Sequence, residues 1–545
     1  MKSKPPSSTI SRRFSWHLTL LVAAGLTAFC FLQIRADPIA ADLANGNGRA
    51  LTHPTRVSRQ SPFPDNCATA SFADEINYRN AEVEPWIAVD PTNANHLIGV
   101  WQQDRWQFGG ARGLGTAVSW NGGHSWKRTF VHFTICSGGT AANGGDYERS
   151  SDPWVTISPN GVAFQSSLSF NFSDPKNAVL VSRSFDGGQT WSEPVTLRLD
   201  TDPSGFNDKE TITADPTNSR FVYAVWDRNA FDSLGNFLGQ PTWFARTTTG
   251  GDTWEAARMI FDAGLGNGTL GNQIVVLPNG TLVNAFTLFI NNTASIALIR
   301  SSNHGVTWSE PISIAAQQAI GVVNPKTGEY ARTSSIIEAI AVDQKTGALF
   351  VVWEDGRFSG YQREGIAFSK STDGGLHWTA PVQINTVPAV QAFTPSIAVR
   401  DDGAISVTYY DFRQDNTDPD VWLANYWRLT SVDGGLTWTE VPVAGPFDLR
   451  EAPRTSACCG GFFLGDYEGI VPGQRSFKPI YVLTTSQNSR ANPVGHVSNP
   501  TDVFVSPLGV PGDISWNGHV ERNPHPRNAR ELIALHQERP FPHKR

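Results

Sequence analysis

Carboxyl and guanidinium side chains recur at matching places along this chain. One set stands at or just before short apolar runs: Glu84, Asp152, Asp208, Glu210, Glu338, Asp466 and Glu468. A second set follows runs that end in Trp or Tyr: Asp104 and Arg105 after Trp101, Asp227 and Arg228 after Trp226, Glu354, Asp355 and Arg357 after Trp353, and Asp411 and Arg413 after Tyr410. Two such groups on either side of a glycosidic bond can cleave it, and a guanidinium matches a carboxylate in a bidentate fork. A sugar-binding or hydrolytic centre is therefore one reading. The other is Asp–Arg pairing that ties neighbouring sheets together, worth about 0–1 kcal/mol per exposed pair. Trp86, Trp106, Trp154, Trp243, Phe358 and Tyr361 lie near these positions and suit either sugar stacking or packing between sheets. No Ser-nucleophile elbow, zinc-protease helix or phosphate-binding Gly-rich loop is present.

The elements that must position these residues come from a repeat. Six segments share the pattern S/T-x-D/N/T-G-G-x-T/S-W, one of them with His for the first Gly, and end in Trp126, Trp191, Trp254, Trp308, Trp378 and Trp438. The tryptophans fall 65, 63, 54, 70 and 60 residues apart, a period that suits a four-stranded sheet with its turns and exceeds the roughly 33–47 residues of helical repeats. Each copy lies between strand-like runs, so it reads as a hairpin turn. The glycines supply positive φ, the Asp or Asn holds nearby N–H groups, and the Trp packs between sheets. A second motif, a short apolar strand after a polar or acidic residue, recurs out of phase seven times, beginning at Glu84, Asp152, Glu210, Asn272, Glu338, Thr394 and Asp466. The order is strand, turn, strand, charged loop, strand, Gly-rich turn, strand. That predicts an all-β propeller of four-stranded blades, most simply seven. Inner-strand entries and charged loops then open on one face, and the Gly-rich turns on the other.

These segments resemble the Asp-box, or bacterial neuraminidase repeat, of the sialidase-like β-propellers, over roughly Glu82 to Val505. The sialidases proper have six blades, the alternative count. The resemblance implies an exported glycoside hydrolase of the exo-sialidase type, with a Tyr nucleophile, a carboxylate that takes its proton, a general acid and arginines that clamp the substrate. Carried over, these roles fall on Tyr467, on Glu338, on Asp104, and on Arg105, Arg357, Arg413 and Arg454. Where the family has its first Arg, this chain has the acidic Glu84, which repels a substrate carboxylate; a neutral or cation-bridged glycan fits better. The non-enzymatic alternatives are a propeller that binds glycan or protein at the cell surface, and an assembly role through the blade rims. No metal ligand set is assigned: the acidic ring could hold Ca²⁺, but no contiguous Ca²⁺-loop motif supports it.

Length and composition bound the rest. The chain has 545 residues, net charge −7, 17 % charged residues, 49 Gly, 35 Pro and 18 Trp against 2 Met, as a turn-rich β protein requires. No basic run lies inside the repeats, which argues against nucleic acid. Lys2, Lys4, Arg12 and Arg13 precede an apolar run from about Phe14 to Ile34. Residues 1–36 read as a signal peptide with cleavage after Ala36, the alternative being an uncleaved anchor and the only route to a membrane. The expected location is secreted, periplasmic or cell-surface. Residues 37–80 form a leader or cap, 81–505 the propeller, and 506–545 a Pro/Arg-rich tail with one short helix near Ala529–Gln537. Beyond Cys30 in the leader, Cys67, Cys136, Cys458 and Cys459 permit two disulfides of open connectivity.

Overall fold

The Gly-rich turns build the architecture. In the second copy, Ser184 Oγ accepts the Gly188 N–H at 2.8 Å and donates to Asp186 Oδ1 at 2.8 Å. Asp186 then accepts the N–H groups of Gln189 and Thr190 at 3.0 and 2.9 Å and the Thr190 hydroxyl at 2.6 Å. Asp373 and Asp433 repeat this, and Asn121, Asn303 and Thr249 each accept the N–H four residues on. Gly187 and Gly188 have φ of 71° and 88°, and a Cβ on Gly188 would stand 2.9 Å from Ile98 of the preceding sheet. The closing tryptophans pack backward onto that sheet: Trp308 lies edge-on to Phe244 at 5.6 Å, and Trp438 to Phe368 at 5.2 Å.

Ser184→Ala leaves the buried Gly188 N–H without its acceptor and is expected to cost about 1–3 kcal/mol in urea unfolding. Ser184→Thr, the residue the third copy uses at Thr247, should keep most of that. Equal stability for Ser184→Ala and wild type would show that the hydroxyl is not the turn's anchor.

The computed structural model describes residues 54–68, 70–71, 75–456, 460–485, 500–506 and 508–509. The leader with Cys30, the first part of the 37–80 segment, Cys458, Cys459 and the tail helix lie outside these residues. Each turn joins the third and fourth strands of an antiparallel blade. The blades run Glu82–Asp90, Asn93–Arg105, Ala111–Ser119, Lys127–Thr129; Arg149–Ile157, Ala163–Phe170, Asn177–Ser184, Val195–Asp200; Gly205–Ala214, Val222–Phe231, Thr242–Thr247, Arg258–Phe261; Gly268–Val276, Leu282–Ile290, Thr293–Ser301, Ile312–Ala316; Ala339–Val342, Leu349–Asp355, Gly365–Ser371, Val382–Gln383; and Ala392–Val399, Ile405–Asp411, Leu423–Ser431, Thr439–Asp448. A last ladder, Gly469–Pro472, Ser476–Thr484 and Thr501–Val505, takes its outer strand from the other end of the chain, with Thr55 opposite Val505 and Arg56 opposite Phe504. First strands pack on one another in cyclic order, and Gly469–Pro472 meets both Ala392–Val399 and Glu82–Asp90. The molecule is an all-β propeller.

The propeller is wider than residues 81–505. Thr55–Arg56 completes its last ladder, and Leu508–Gly509 pairs with Ser476 and Phe477. The described part of the 37–80 segment belongs to the ring, strapped down by the Cys67–Cys136 disulfide and by the buried Arg149–Glu75 pair. A small sheet of loop segments adds to the ring: Val322–Val323, Tyr330–Arg332, Gly461–Phe463 and Arg454–Thr455. Its parallel pairing, Ala331 with Phe462 and Arg332 with Phe463, brings Arg332 to the axis.

Candidate functional site

Five inner strands break register near their start, and each break holds a residue in the left-handed region: Glu84 (φ 52°), Asp152 (51°), Lys209 (51°), Gly271 (74°) and Thr394 (49°). A side chain in that region costs energy, and the bulge re-aims it. The first three of these residues meet as an ion cluster. Lys209 Nζ donates to Asp152 Oδ1 at 2.7 Å, Asp466 Oδ2 at 2.7 Å and Glu84 Oε1 at 3.3 Å. In the fourth blade the equivalent residue is Gly271, where an added Cβ would stand 3.1 Å from Ile337. A narrow cavity opens there, lined by Asp152, Trp154, Lys209, Glu210, Thr211, Gly271, Gln273, Ile337 and Tyr467, with about 10 Å³ of space for the centre of a water molecule, room for one water.

Arg332 grips Asp466 with Nε at 2.8 Å and with Nη2. Arg105 donates to Gln102 Oε1 at 2.6 Å, and Gln102 in turn donates to Glu84. Both guanidiniums lie 4.9 Å from the Phe463 ring. Burial works against the Asp466 charge, but Arg332 and Lys209 outweigh it and hold the carboxyl far below its ordinary range. Burial likewise opposes the Lys209 charge, and Asp152, Asp466 and Glu84 more than restore it. Glu84 is pushed up to about 7 by burial, against the pull of Lys209, and Asp208 to about 7 by burial and Asp152. Glu210 is 1 % exposed, and neither of its oxygens has a hydrogen-bond partner among the described residues. Burial and then the charge of Asp152 raise its pKa well above the carboxylate range. One cavity thus holds a carboxyl that burial drives toward its neutral form, Glu210, beside an ion-paired one, Asp152, the division of roles that acid–base chemistry needs.

The residues assigned from the resemblance scatter. Tyr467 does reach the cavity, packed edge-on to Trp154 at 5.3 Å, but its hydroxyl donates to the Pro153 carbonyl at 3.2 Å. Burial, then Glu84, Asp152, Glu210 and Asp466, raise its pKa well above that of a free phenol, which opposes a phenolate nucleophile. Glu338 is not among those charges. It stands one residue before the first strand of the fifth blade, with Oε2 accepting from Thr287 of the fourth at 3.2 Å. Asp104 fastens the 37–80 segment, accepting from Ser61 Oγ at 2.6 Å and Asn80 N at 2.8 Å. Of the assigned arginines, Arg105 alone joins the cluster. Arg357 is folded onto Asp355, Arg413 onto Asp411 and Glu440, and Arg454 onto Glu329.

The sequence assignment missed Lys209 and Arg332. The signal for Lys209 is a count: Glu84 lies six residues before the Asp90-Pro-Thr-Asn93 turn, and Lys209 six before Asp215-Pro-Thr-Asn218. Matching the third repeat on its acid, Glu210, shifts it by one. No local signal marks Arg332, which arrives through parallel pairing of two loops distant in the chain.

Burial raises Glu338 to about 8. The stability this group contributes is present below its unfolded value near 4.5 and is lost as pH rises through about 8. Glu338→Gln copies the neutral form, so its Tm should match wild type at pH 5 and exceed it by about 2–5 °C at pH 9. Equal Tm values at pH 9 would contradict this.

The BNR repeat-like domain family matches residues 242–457. A xyloglucanase of a Paenibacillus species is 26 % identical over 297 residues, 50 % of this chain and 26 % of that protein. One of Acetivibrio thermocellus is 24 % identical over 238 residues, 40 % of this chain and 26 % of that protein. The chain spans about a quarter of the length of these curated relatives. Among solved structures, a Hadza microbial sialidase superposes with a TM-score of 0.43 at 14 % identity, over 77 % of this chain and 75 % of that one. A Penicillium chrysogenum α-L-arabinanase gives 0.41 at 13 %, over 84 % and 99 %.

Proposed function

We infer that this chain, an Asp-box propeller of the sialidase-like superfamily, is a glycoside hydrolase that acts on a neutral glycan outside the cytoplasm. The observation that carries the reading is Glu210, a buried carboxyl with no hydrogen-bond partner among the described residues, facing a cavity it shares with the ion-paired Asp152. Glu210 is the proton donor to the leaving oxygen, and Asp152 the carboxylate that completes the pair. Sialic acid is a poor fit, because Glu84 stands at the axis and the arginines near it are engaged: Arg332 by Asp466, Arg105 by Gln102. The partial likeness to xyloglucanases supports a neutral polysaccharide as the first substrate to try, and the basic, apolar N-terminal run supports export.

A second reading has its own observation. Three carboxylates pin Lys209 across the axis, and the cavity has room for one water and not for a sugar ring, which favours a propeller that binds glycan without cutting it. The test is a panel of xyloglucan, other neutral polysaccharides, aryl-glycosides and a sialoside, read as reducing ends or released aryl group. Release from a neutral substrate, abolished in Glu210→Gln, is the expected result. No release from any neutral glycan overturns hydrolysis; binding of xyloglucan oligosaccharide without turnover would establish the second reading.

A further inference from the structure

Away from the axis, a buried cation lacks an acceptor. Arg428, in the third strand of the sixth blade, is 0 % exposed, and its Nε, Nη1 and Nη2 have no hydrogen-bond partner among the described residues. Burial lowers its pKa to about 10, and the charged neighbour that acts on it is a second cation, Arg400. At neutral pH the guanidinium therefore stays charged. A buried charge without a partner is among the costliest arrangements a fold can hold.

The surroundings offer donors. Arg428 stands opposite Thr408 and Val441 in its sheet, and Thr430 follows on the same face. Ala398 and Ala404 pack with Ile470 and Phe477 of the last ladder, and the Arg400 guanidinium lies 5.6 Å from the Phe477 ring. Arg400 places Nε at 2.9 Å and Nη2 at 2.5 Å on the carboxylate of Asp402, and its Nη1 has no partner among the described residues. The hydroxyl of Thr430 also lacks one. Asp402 balances Arg400, so one positive charge remains on Arg428. Water could satisfy the N–H groups but would leave that charge unbalanced.

We propose that the seam between the sixth blade and the last ladder is a binding site for a small inorganic monoanion of the halide class, held by Arg428 with Arg400 and Thr430. The site is independent of the axial cluster and of any hydrolysis there. An anion seated on it would act as a pin between two neighbouring sheets, stabilising the folded ring in proportion to its occupancy.

Two measurements on the full chain test this. Crystals soaked in bromide should show an anomalous peak within about 3.5 Å of an Arg428 nitrogen. In solution, replacing gluconate by chloride at constant ionic strength should raise Tm saturably by about 1–4 °C, an effect absent in Arg428→Met. A bromide map empty at Arg428, or a Tm indifferent to halide, overturns the proposal. The bromide map decides the matter even where Arg428→Met does not fold.

Discussion

Lys209→Met is expected to destabilise the protein by about 3–5 kcal/mol at pH 7, because it strips a shared cation from buried carboxylates rather than an exposed pair. Glu84 and Asp152 come from the first strands of two blades and Asp466 from the loop before Gly469–Pro472, and the three meet on that one ammonium. Methionine keeps most of the volume, so the loss reports charge. The penalty should shrink as pH falls: a carboxyl left without its cation escapes the cost by binding a proton. Asp466, held low by Arg332 as well as Lys209, should be the last to do so. Urea unfolding of both proteins at pH 7 and pH 4.5 measures this. A loss below about 1 kcal/mol at pH 7, the scale of an exposed pair, would show the cluster to be solvated and weak.

Glu210→Gln is expected to lower kcat on a neutral glycan by about 10²–10⁴, the usual worth of a positioned proton donor, with KM little changed. Glutamine copies the neutral carboxyl's shape but has no acid proton. Wild-type activity should fall as pH rises through the raised pKa of Glu210, and this alkaline limb should vanish in the variant. Stability should hold or rise slightly above neutral pH, since the variant removes a group whose ionised form is penalised by burial. Full activity in a folded Glu210→Gln protein would remove Glu210 from the chemistry. Falling activity together with falling Tm would mark it as structural.

How far each feature could be read from the chain follows from how locally it is encoded. In a turn such as Ser184 to Trp191 the bonds of the Ser184 and Asp186 side chains each close within five residues, so it writes most of its signature in one place and repeats it in each blade that uses it. The class of fold is legible for that reason. The axial cluster is half legible. Glu84 and Asp152 precede Pro-Trp and an apolar strand and announce their register, whereas Lys209 sits between two acids and is found only by counting from the following turn. Arg332 and the two-residue strand Thr55–Arg56 are illegible, because their pairing is non-local and too short to show a period. Glu338 misleads in the opposite way: it has the acid-before-strand pattern, yet Thr287 of the neighbouring blade takes its side chain.

The use of Thr55–Arg56 to finish the last ladder has a kinetic side. Ser58 bonds Asp502 across 444 residues of chain, so a segment made early must wait for one made late before either finds its mate. Until then the early sheets can stack one upon the next as an open crescent with two unpaired edges. The entropy of so long a loop grows only slowly with length, and by then most of it has been absorbed by the sheets already stacked. The final zippering is thus cheap in free energy but late in time, and it leaves the nascent molecule's vulnerable edges at its two ends.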